Sequence, residues 1–312
     1  MRLTPERLSL LRERRKSQDA GEARPRLPPW LKATLPGGAR YAQIKRDLRE
    51  RKLVTVCEEA ACPNIGECWN EGTATLMLMG EACTRACRFC NIKNDPRPPA
   101  LDPDEPAQAA EQVALMGLNY VVMTSVNRDD LADGGAAHFA ASILAVRRRN
   151  PETLIEVLTP DFEGVEADVH TVVDARPHVF AHNVETVEAL SRTVRDRRAT
   201  YAQSLHVLAM AKRRAPERLT KSSIMLGLGE TDAQIEQSLR DLRAHDVDVV
   251  TLGQYLRPSP WHHEVKHFVS PDAFAEWKTF ADGLGFRYVA SGPMVRSSYR
   301  AGEFYLRALI TG

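Results

Sequence analysis

The chain has 312 residues, 43% of them hydrophobic and 27% charged, with 18 Gly and 19 Pro; this ordinary globular composition excludes disorder and collagen-like structure. Its apolar runs fall far short of the roughly 20 residues that a membrane-spanning helix needs. Lys plus Arg is 42 against 41 for Asp plus Glu, and the net charge of +1 gives no global reason to expect nucleic acid.

Charge is distributed unevenly. Residues 1–52 hold 15 Lys/Arg and 6 Asp/Glu, a local net of +9 against −8 for the remainder. Met1 to Lys16 mixes Leu and Arg with Glu6 and Glu13, which is not the apolar core of a secretory signal. Asp19 and Glu22 add to the case against an organellar transit peptide, so the expected compartment is the cytoplasm.

The segment after this arm carries the chemistry. Cys57, Cys62, Cys68, Cys83, Cys87 and Cys90, all 6 cysteines of the chain, fall within 34 residues. A disulfide framework does not suit them, because no export signal precedes them and the long stretch after Cys90 has no cysteine to staple. Structural zinc wants four tetrahedral ligands, usually in paired C-x2-C spacing, and these residues do not pair up. They split into two triplets, C-x4-C-x5-C at Cys57, Cys62 and Cys68, and C-x3-C-x2-C at Cys83, Cys87 and Cys90. A cubane iron-sulfur cluster normally takes four thiolates, so a triplet leaves one iron open. That open position is a liability in an electron carrier and a docking point in a catalyst.

From residue 74 onward, short apolar or β-branched runs alternate with longer amphipathic stretches, the pattern of parallel strands joined by helical crossovers. Six strands are predicted, at 74–80, 120–126, 154–160, 178–184, 222–228 and 247–255, too few to close a barrel. The predicted helices include Glu105 to Met116, with Ala109, Val113 and Met116 on one face, and Asp232 to Ala244, with Ile235, Leu239 and Leu242 at helical spacing. In parallel barrels the site forms at the carboxyl ends of the strands. The polar residues there are Thr124, Ser125, Asn127, Asp161, His182, Asn183, Glu185, Gly227, Gly229, Glu230, Gln254 and Tyr255, several with helix capping as the alternative role. No G-x4-G-K-[ST] loop, hydrolase motif or paired-carboxylate signature occurs, so nucleotide and acid-base hydrolysis are unsupported. His262 and His263 are adjacent, make a poor chelate and are read as loop or surface. Ser297 and Ser298, read alone, form a solvated turn.

GEACTRACRFCNI (80–92), directly after the first barrel strand, resembles the radical S-adenosylmethionine (SAM) superfamily, with Phe89 the usual aromatic before the last cysteine. Ser223 to Glu230 is similar to that superfamily's G-x-I-x-G-x-x-E element, which packs by SAM's adenine; Ser223 replaces Gly and Met225 replaces Ile, while Gly227 and Glu230 are kept. CEEAACPNIGECW (57–69) is far more specific. With RDDLADGGAAHF (128–139), AHNVET (181–186), LGLGET (226–231), QYLRPS (254–259) and RSSYRAGEFY (296–305), it makes the chain resemble the lipoyl synthase family from residue 26 to about 305. The departures are Leu27 where a basic residue is usual before Pro28, Glu81 where Asp is common, and Ser222-Ser223 before the glycine turn.

The resemblance implies an α/β fold, a partial (β/α)6 TIM-like barrel of the radical SAM type with an N-terminal cluster-binding extension and a short C-terminal extension. It divides the chain into a basic arm (1–52), an auxiliary iron-sulfur segment (53–73), the barrel (74–290) and an extension supplying a serine ligand (291–312). The cofactors implied are two 4Fe-4S clusters and SAM. An electron from the cluster on Cys83, Cys87 and Cys90 would cleave SAM, bound at the open iron, to methionine and a 5′-deoxyadenosyl radical. That radical abstracts hydrogen from C6 and C8 of an octanoyl chain on a carrier lysine, one SAM per C-H bond, with the protein orienting the cofactor and excluding water. Both inserted sulfurs would come from an auxiliary cluster on Cys57, Cys62 and Cys68, dismantled in turnover. Its fourth iron is held in the family by a serine, here Ser298 with Ser297 as the alternative, and a hard serine oxygen leaves such a site more readily than a thiolate.

SAM contacts are expected from Thr124, Asn183, Glu185, Gly227 and Tyr255. Arg257, Arg296 and Arg300 supply cations for SAM's carboxylate, a cluster sulfide or carrier backbone. The partners implied are octanoylated carrier domains, those of 2-oxoacid dehydrogenase acyltransferase subunits and the glycine cleavage H protein, with flavodoxin or ferredoxin as reductant. The basic arm, a solvated arm when read alone, offers an acidic carrier a complementary surface. No nucleic acid or membrane partner is expected, and a monomer suffices. A biotin-synthase-like sulfur transferase would share the barrel but not CEEAACPNIGECW or the terminal RSSY, and an electron carrier or zinc protein would ligate its metals fully from the chain.

Overall fold

The computed structural model describes residues 27–32, 36–50, 54–55, 58, 62, 64–70 and 74–297, without the side chains of residues 40 and 54. The arm up to residue 26, Cys57, Ser298 and Arg300 lie outside the described residues.

The apolar and β-branched runs form β1 (Val54–Thr55), β2 (Thr75–Leu78), a small pair β3 (Ala82–Cys83) and β4 (Lys93–Asn94), then β5 (Tyr120–Ser125), β6 (Leu154–Leu158), β7 (Val179–Ala181), β8 (Leu219–Leu226), β9 (Val249–Gln254) and β10 (Tyr288–Gly292). One sheet runs in the order β1-β2-β5-β6-β7-β8-β9-β10, and β3 pairs with β4 beside it. Only β1 is antiparallel to its neighbour; the others are parallel, which requires a crossover after each strand. Helices α1 (Ala39–Glu50) and α2 (Ile65–Asn70) precede the barrel. The crossovers are α3 (Glu105–Met116), α4 (Ala136–Arg149), α5 (Glu166–Asp174), α6 (Glu188–Val194) with α7 (Tyr201–Arg214), α8 (Asp232–Ala244) and α9 (Pro271–Gly283).

Six β/α units thus run from β2 to α9, the partial barrel expected, and β10 adds a seventh parallel strand. Its run from Tyr288 to Gly292 is short and itself ends in Ser291 and Gly292, so its apolar signal is weak. β8 begins at Leu219 rather than at 222, because Thr220 and Lys221 are polar yet buried. The two helices predicted in detail have the predicted bounds. In α8 the Thr231 hydroxyl accepts from the Gln234 N–H while the Gln234 side chain accepts from the Thr231 N–H, a capping box, and Ile235, Leu239 and Leu242 are buried.

Strand residues alternate between two surroundings. Val121, Met123, Ile155, Val157 and Phe180 pack outward against α3, α4 and α5, and Ile224, Leu226, Val250 and Leu252 pack outward with Ile235, Leu239 and Leu242 of α8. The inward set at the strands' amino ends, Tyr120, Val122, Leu154, Val179, Leu219 and Val249 with Tyr288 against them, fills the barrel as an apolar floor. Above it lies a buried ion pair: Lys221 Nζ is 2.8 and 3.0 Å from the two Glu156 carboxylate oxygens, and the Tyr120 hydroxyl donates to the same carboxylate at 2.5 Å. The two side chains are only 4% and 2% exposed, so neither charge has water to fall back on. Lys221→Met is therefore expected to destabilise the fold by about 3–5 kcal/mol in chemical denaturation. Adding Glu156→Gln should recover part of that loss, and a double variant no more stable than the single one would contradict the pairing.

Candidate functional site

Above this pair the barrel interior opens into a cavity of about 580 Å³ at the carboxyl ends of the strands, within the roughly 300–1,000 Å³ of small-molecule sites. Cys83, Cys87 and Cys90 all face it, from the loop that follows β2. Phe89 and Ile92 line it beside them.

The loop is held by polar bonds to the ends of four crossovers. The Thr84 N–H donates to the Asn127 carbonyl at 3.0 Å and its hydroxyl to Asp129 at 2.6 Å, beyond β5. Arg85 makes bonds of 2.7–3.1 Å to both Asp129 oxygens and one of 2.6 Å to Asp161, the latter beyond β6. The Ala86 N–H donates to Asp196, just after α6, and the Arg88 N–H donates to the carbonyl of Val194, the last residue of that helix. Beyond β9, the His263 N–H donates to the Arg88 carbonyl at 2.7 Å and the His262 ring bonds the Cys90 carbonyl at 3.0 Å.

Burial opposes the charge on Arg85, but its bonds to Asp129 and Asp161 outweigh that effect and hold the guanidinium firmly protonated. Burial likewise works against the Asp161 carboxylate, and Arg85 still brings it below its usual range. The bonds from Arg198 hold Asp196 well below the ordinary carboxylate range.

The sulfurs are set up for a metal rather than for free thiolates. Burial pushes the Cys87 thiol up to about 11 and the Cys90 thiol up to about 12, so without a cation both stay protonated. Cys83 Sγ accepts from the Arg85 and Asn127 N–H groups, each at 3.4 Å, and Cys87 Sγ accepts from the Asp196 N–H at 3.2 Å. Such bonds are the usual second layer around an iron-sulfur cluster. All three cysteines are free of disulfides. Among the described residues no three His, Cys, Asp or Glu side chains converge on a point suited to one ion; a cubane, whose irons each take their own thiolate, does not ask for that convergence. Three sulfurs lining one cavity, with backbone N–H groups aimed at Cys83 and Cys87 and that of Ile92 at Cys90, fit a cubane with one open iron.

Of the first triplet, Cys62 reaches the same cavity, next to Val295, Arg296 and Ser297 of the C-terminal segment. The Asn64 side chain donates to the Met294 carbonyl at 2.7 Å, which ties CEEAACPNIGECW to the segment entering RSSY. Burial raises the Cys62 thiol, offset in part by the Asn64 N–H and by Arg296, whose own charge burial disfavours. Gly253 makes this approach feasible, since a Cβ there would sit 2.1 Å from the Val295 carbonyl oxygen. Cys68 lies on α2, buried in the core at 7% exposure, and is not on the cavity wall. Of the predicted ligands, Cys57 and Ser298 lie outside the described residues.

Among the predicted SAM contacts, Thr124, Asn183, Glu185 and Tyr255 line the cavity. Thr124 donates its hydroxyl to the Leu158 carbonyl, and the Tyr255 hydroxyl donates to the His263 carbonyl. The Asn183 amide donates to Glu185, while its buried carbonyl oxygen has no hydrogen-bond partner among the described residues. Gly227 is not on the wall: it lies behind, where a Cβ would meet the Gln254 amide at 2.2 Å, and Glu230 accepts from the Gly227 and Leu228 N–H groups. That element is a turn that seats the strand end, which explains its glycine without contact to the cavity. His262 and His263 are neither loose nor superficial as a pair; His262 is 8% exposed and both brace other segments, because their ring nitrogens bond the Cys90 and Leu228 carbonyls.

Arg195 was not expected. It lies near the end of α6, is 7% exposed, lines the cavity and donates to the Val184 carbonyl. Burial raises the Glu185 carboxyl and lowers the Arg195 guanidinium, and each opposes the other's shift, so the wall brings an acid and a base of complementary charge together. Its distance from any strand end hid Arg195 from the sequence pattern. Trp261 stands at the rim, 62% exposed.

Residues 77–242, more than half of the chain, match the Radical SAM superfamily, and residues 5–62 match the N-terminal domain of lipoyl synthase of Radical_SAM family. The lipoyl synthase of Myxococcus xanthus (strain DK1622) is 59% identical over 285 residues, 91% of this chain and 95% of that protein. That of Anaeromyxobacter sp. (strain Fw109-5) is 58% identical over 282 residues, 90% and 96%. The mitochondrial lipoyl synthase of Zea mays is 56% identical over 289 residues, 91% and 76%. In fold the chain is similar to the FeFe-hydrogenase maturase HydG from Carboxydothermus hydrogenoformans, with a TM-score of 0.54 at 12% identity over 87% of this chain and 77% of that one. Streptococcus suis SuiB bound to its precursor peptide SuiA gives 0.55 at 9% identity, over 80% and 52%. The cysteine-lined cavity at the carboxyl ends of an open parallel barrel, together with these relatives, shows that the chain belongs to the lipoyl synthase family of radical SAM enzymes, which use SAM and 4Fe-4S clusters.

Proposed function

We propose that Cys83, Cys87 and Cys90 hold the SAM-binding cubane, and that Cys57, Cys62 and Cys68 with Ser298 hold a second one across the same cavity. When bound, the first supplies the electron that cleaves SAM and the second supplies the sulfur. The reaction is insertion of two sulfur atoms at C6 and C8 of a protein-bound octanoyl-lysine, giving lipoyl-lysine. The observation that carries this reading is the meeting of Cys62, Ser297 and the second triplet on one cavity wall system of about 580 Å³. A chain that must be attacked by a radical and then take sulfur has to lie between those two groups.

The chain's own residues orient and shield. Arg85 and its two carboxylates hold the cluster loop still, and Glu185 with Arg195 offers opposite charges to the amino and carboxylate groups of SAM's methionine. Phe89, Ile92 and Met225 provide apolar wall for the adenosine and acyl carbons. Trp261 at the rim is the threshold over which the octanoyl-lysyl arm enters. The carriers would be octanoylated domains of 2-oxoacid dehydrogenase acyltransferases and the glycine cleavage H protein, with a flavodoxin or ferredoxin as reductant, and a cytoplasmic monomer is sufficient for the chemistry. No helix among the described residues is long and apolar enough to cross a membrane.

The test is anaerobic turnover of the reconstituted chain with SAM, a reductant and an octanoyl-lysyl peptide, following iron, 5′-deoxyadenosine and thiolated peptide. About eight irons per chain are expected for two cubanes. Thiolated peptide should appear as the auxiliary iron is lost; SAM cleavage without sulfur transfer would mean a different substrate.

Ser298→Ala is expected to cleave SAM but form little lipoyl product. Normal lipoylation by that variant, with loss of it in Ser297→Ala, would move the ligand to Ser297. Removing residues 1–25 is expected to slow turnover on an intact carrier domain and leave SAM cleavage unchanged, and equal kinetics on the carrier would dismiss the arm as a docking surface.

A further inference from the structure

Three bonds join residues 88–90 to other elements: Arg88 N–H to the Val194 carbonyl at 2.8 Å, His263 N–H to the Arg88 carbonyl at 2.7 Å, and the His262 ring to the Cys90 carbonyl at 3.0 Å. The first two run backbone to backbone, and only the third is made by a side chain. Its chemistry is fixed by the partners. A carbonyl only accepts, so His262 Nε2 carries the proton and donates. Nδ1, on the other side of the ring, pairs with the Ser259 hydroxyl 2.8 Å away, which can donate or accept. The ring is 8% exposed, Trp261 packs edge-on to it with ring centroids 5.3 Å apart, and the His262 carbonyl accepts from Arg257 Nε at 3.0 Å.

The Cys90 carbonyl shares a peptide plane with the Asn91 N–H, and the next peptide unit carries the Ile92 N–H, which bonds the Cys90 sulfur. Fixing that plane anchors the backbone from which the third thiolate projects and leaves only Asn91 between it and the N–H aimed at that sulfur. Hydrogen bonds to cluster sulfurs raise reduction potential, and the groups that orient ligands are a large part of what tunes a metal site.

We propose that His262, held by Ser259, is a positioning residue for the SAM-binding cluster: its Nε2–H bond to the Cys90 carbonyl sets the geometry and potential at the third cysteine. This rests on the reading that Cys83, Cys87 and Cys90 carry that cluster. It is independent of the sulfur-donor role of the other triplet, and of the carrier.

The experiment uses the full chain reconstituted anaerobically, with SAM as the probe and neither carrier nor octanoyl peptide present. Four quantities are read: the thermal transition, the SAM-dependent change in the EPR signal of the reduced protein, which requires an open iron, the midpoint potential of that signal, and the rate of 5′-deoxyadenosine formation. His262→Phe keeps the ring and loses the donor. It should retain the thermal transition while its potential moves down, its SAM-dependent signal changes and SAM cleavage falls roughly 10- to 100-fold. His262→Gln, whose amide nitrogen stands near the Nε2 position, should recover most of the signal and rate. Ser259→Ala should shift the same readouts in the same direction by less, and carries the test should His262→Phe not fold. Wild-type signal, potential and cleavage in His262→Phe overturn the proposal, as does a Gln variant impaired as fully as Phe or a Ser259→Ala protein with no shift. A wild-type chain that binds no SAM at its cluster overturns the underlying reading as well, so the two failures are told apart by the wild-type control.

Discussion

Arg85 is charged and carried on a loop, yet its side chain is only 2% exposed, and the rest of the site depends on how that charge is met. Taking a guanidinium out of water costs several kcal/mol unless carboxylates with good geometry receive it. Asp129 takes it in a two-oxygen grip and Asp161 takes the remaining nitrogen. These acids come from the loops beyond β5 and β6, so the pairing can form only when both strand ends are in place. Loops on a protein surface are ordinarily its most mobile part. Here the stretch bearing the three cysteines is bound into the barrel rim with the stiffness of the strands beneath it, as a metal site needs if its ligands are to stand within a fraction of an ångström of the right places.

A second constraint works through a missing side chain. β9 turns Gly253 inward, and the Val295 carbonyl occupies the place a Cβ would take. The C-terminal segment can therefore cross the barrel mouth close enough for Arg296 and Ser297 to share a wall with Cys62. Asn64 fixes the other side of that contact through the Met294 carbonyl. Two stretches 230 residues apart in sequence are thereby joined beside one cavity. A glycine within a buried strand is locally unfavourable, and its use here, next to the carboxyl end of β9, is to admit a backbone.

This explains which features were legible in the sequence. The cysteine triplets, the strand-helix alternation and the stripes of α3 and α8 are local patterns with short periods, and they were readable residue by residue. The Arg85 pairing was not, because its partners lie 44 and 76 residues away and nothing in CTRAC says which acids will meet it. Lys221 broke the apolar run of β8 for the same reason: its partner Glu156 is 65 residues off, and without that partner a lysine reads as surface. His262 was misplaced because adjacent side chains do point apart, as expected, but both sides of this segment are occupied by other loops. Gly227 was drawn to the cavity by its motif, whereas its positive φ of 97° and the Gln254 amide behind it show a turn required by packing.

The barrel interior is graded along its axis, and the grading bears on the chemistry. At the amino end apolar side chains close the floor, and the Glu156–Lys221 pair above them satisfies its own charges. Higher up the wall becomes small and polar, and the Asn183 carbonyl oxygen, without a hydrogen-bond partner among the described residues, lies within the cavity beside Glu185 and Arg195. A buried polar atom without a partner is unfavourable in the empty protein and becomes favourable when a ligand supplies the partner. Its recovery on binding draws a polar ligand to this level of the barrel. The same argument explains the placing of the apolar residues. Phe89, Ile92 and Met225 offer no hydrogen bond and give little hold to water, so a long acyl chain can replace it there without breaking anything. The polar groups thus anchor the part of the reaction that must be oriented, and the apolar ones receive the part whose C–H bonds have no handle of their own.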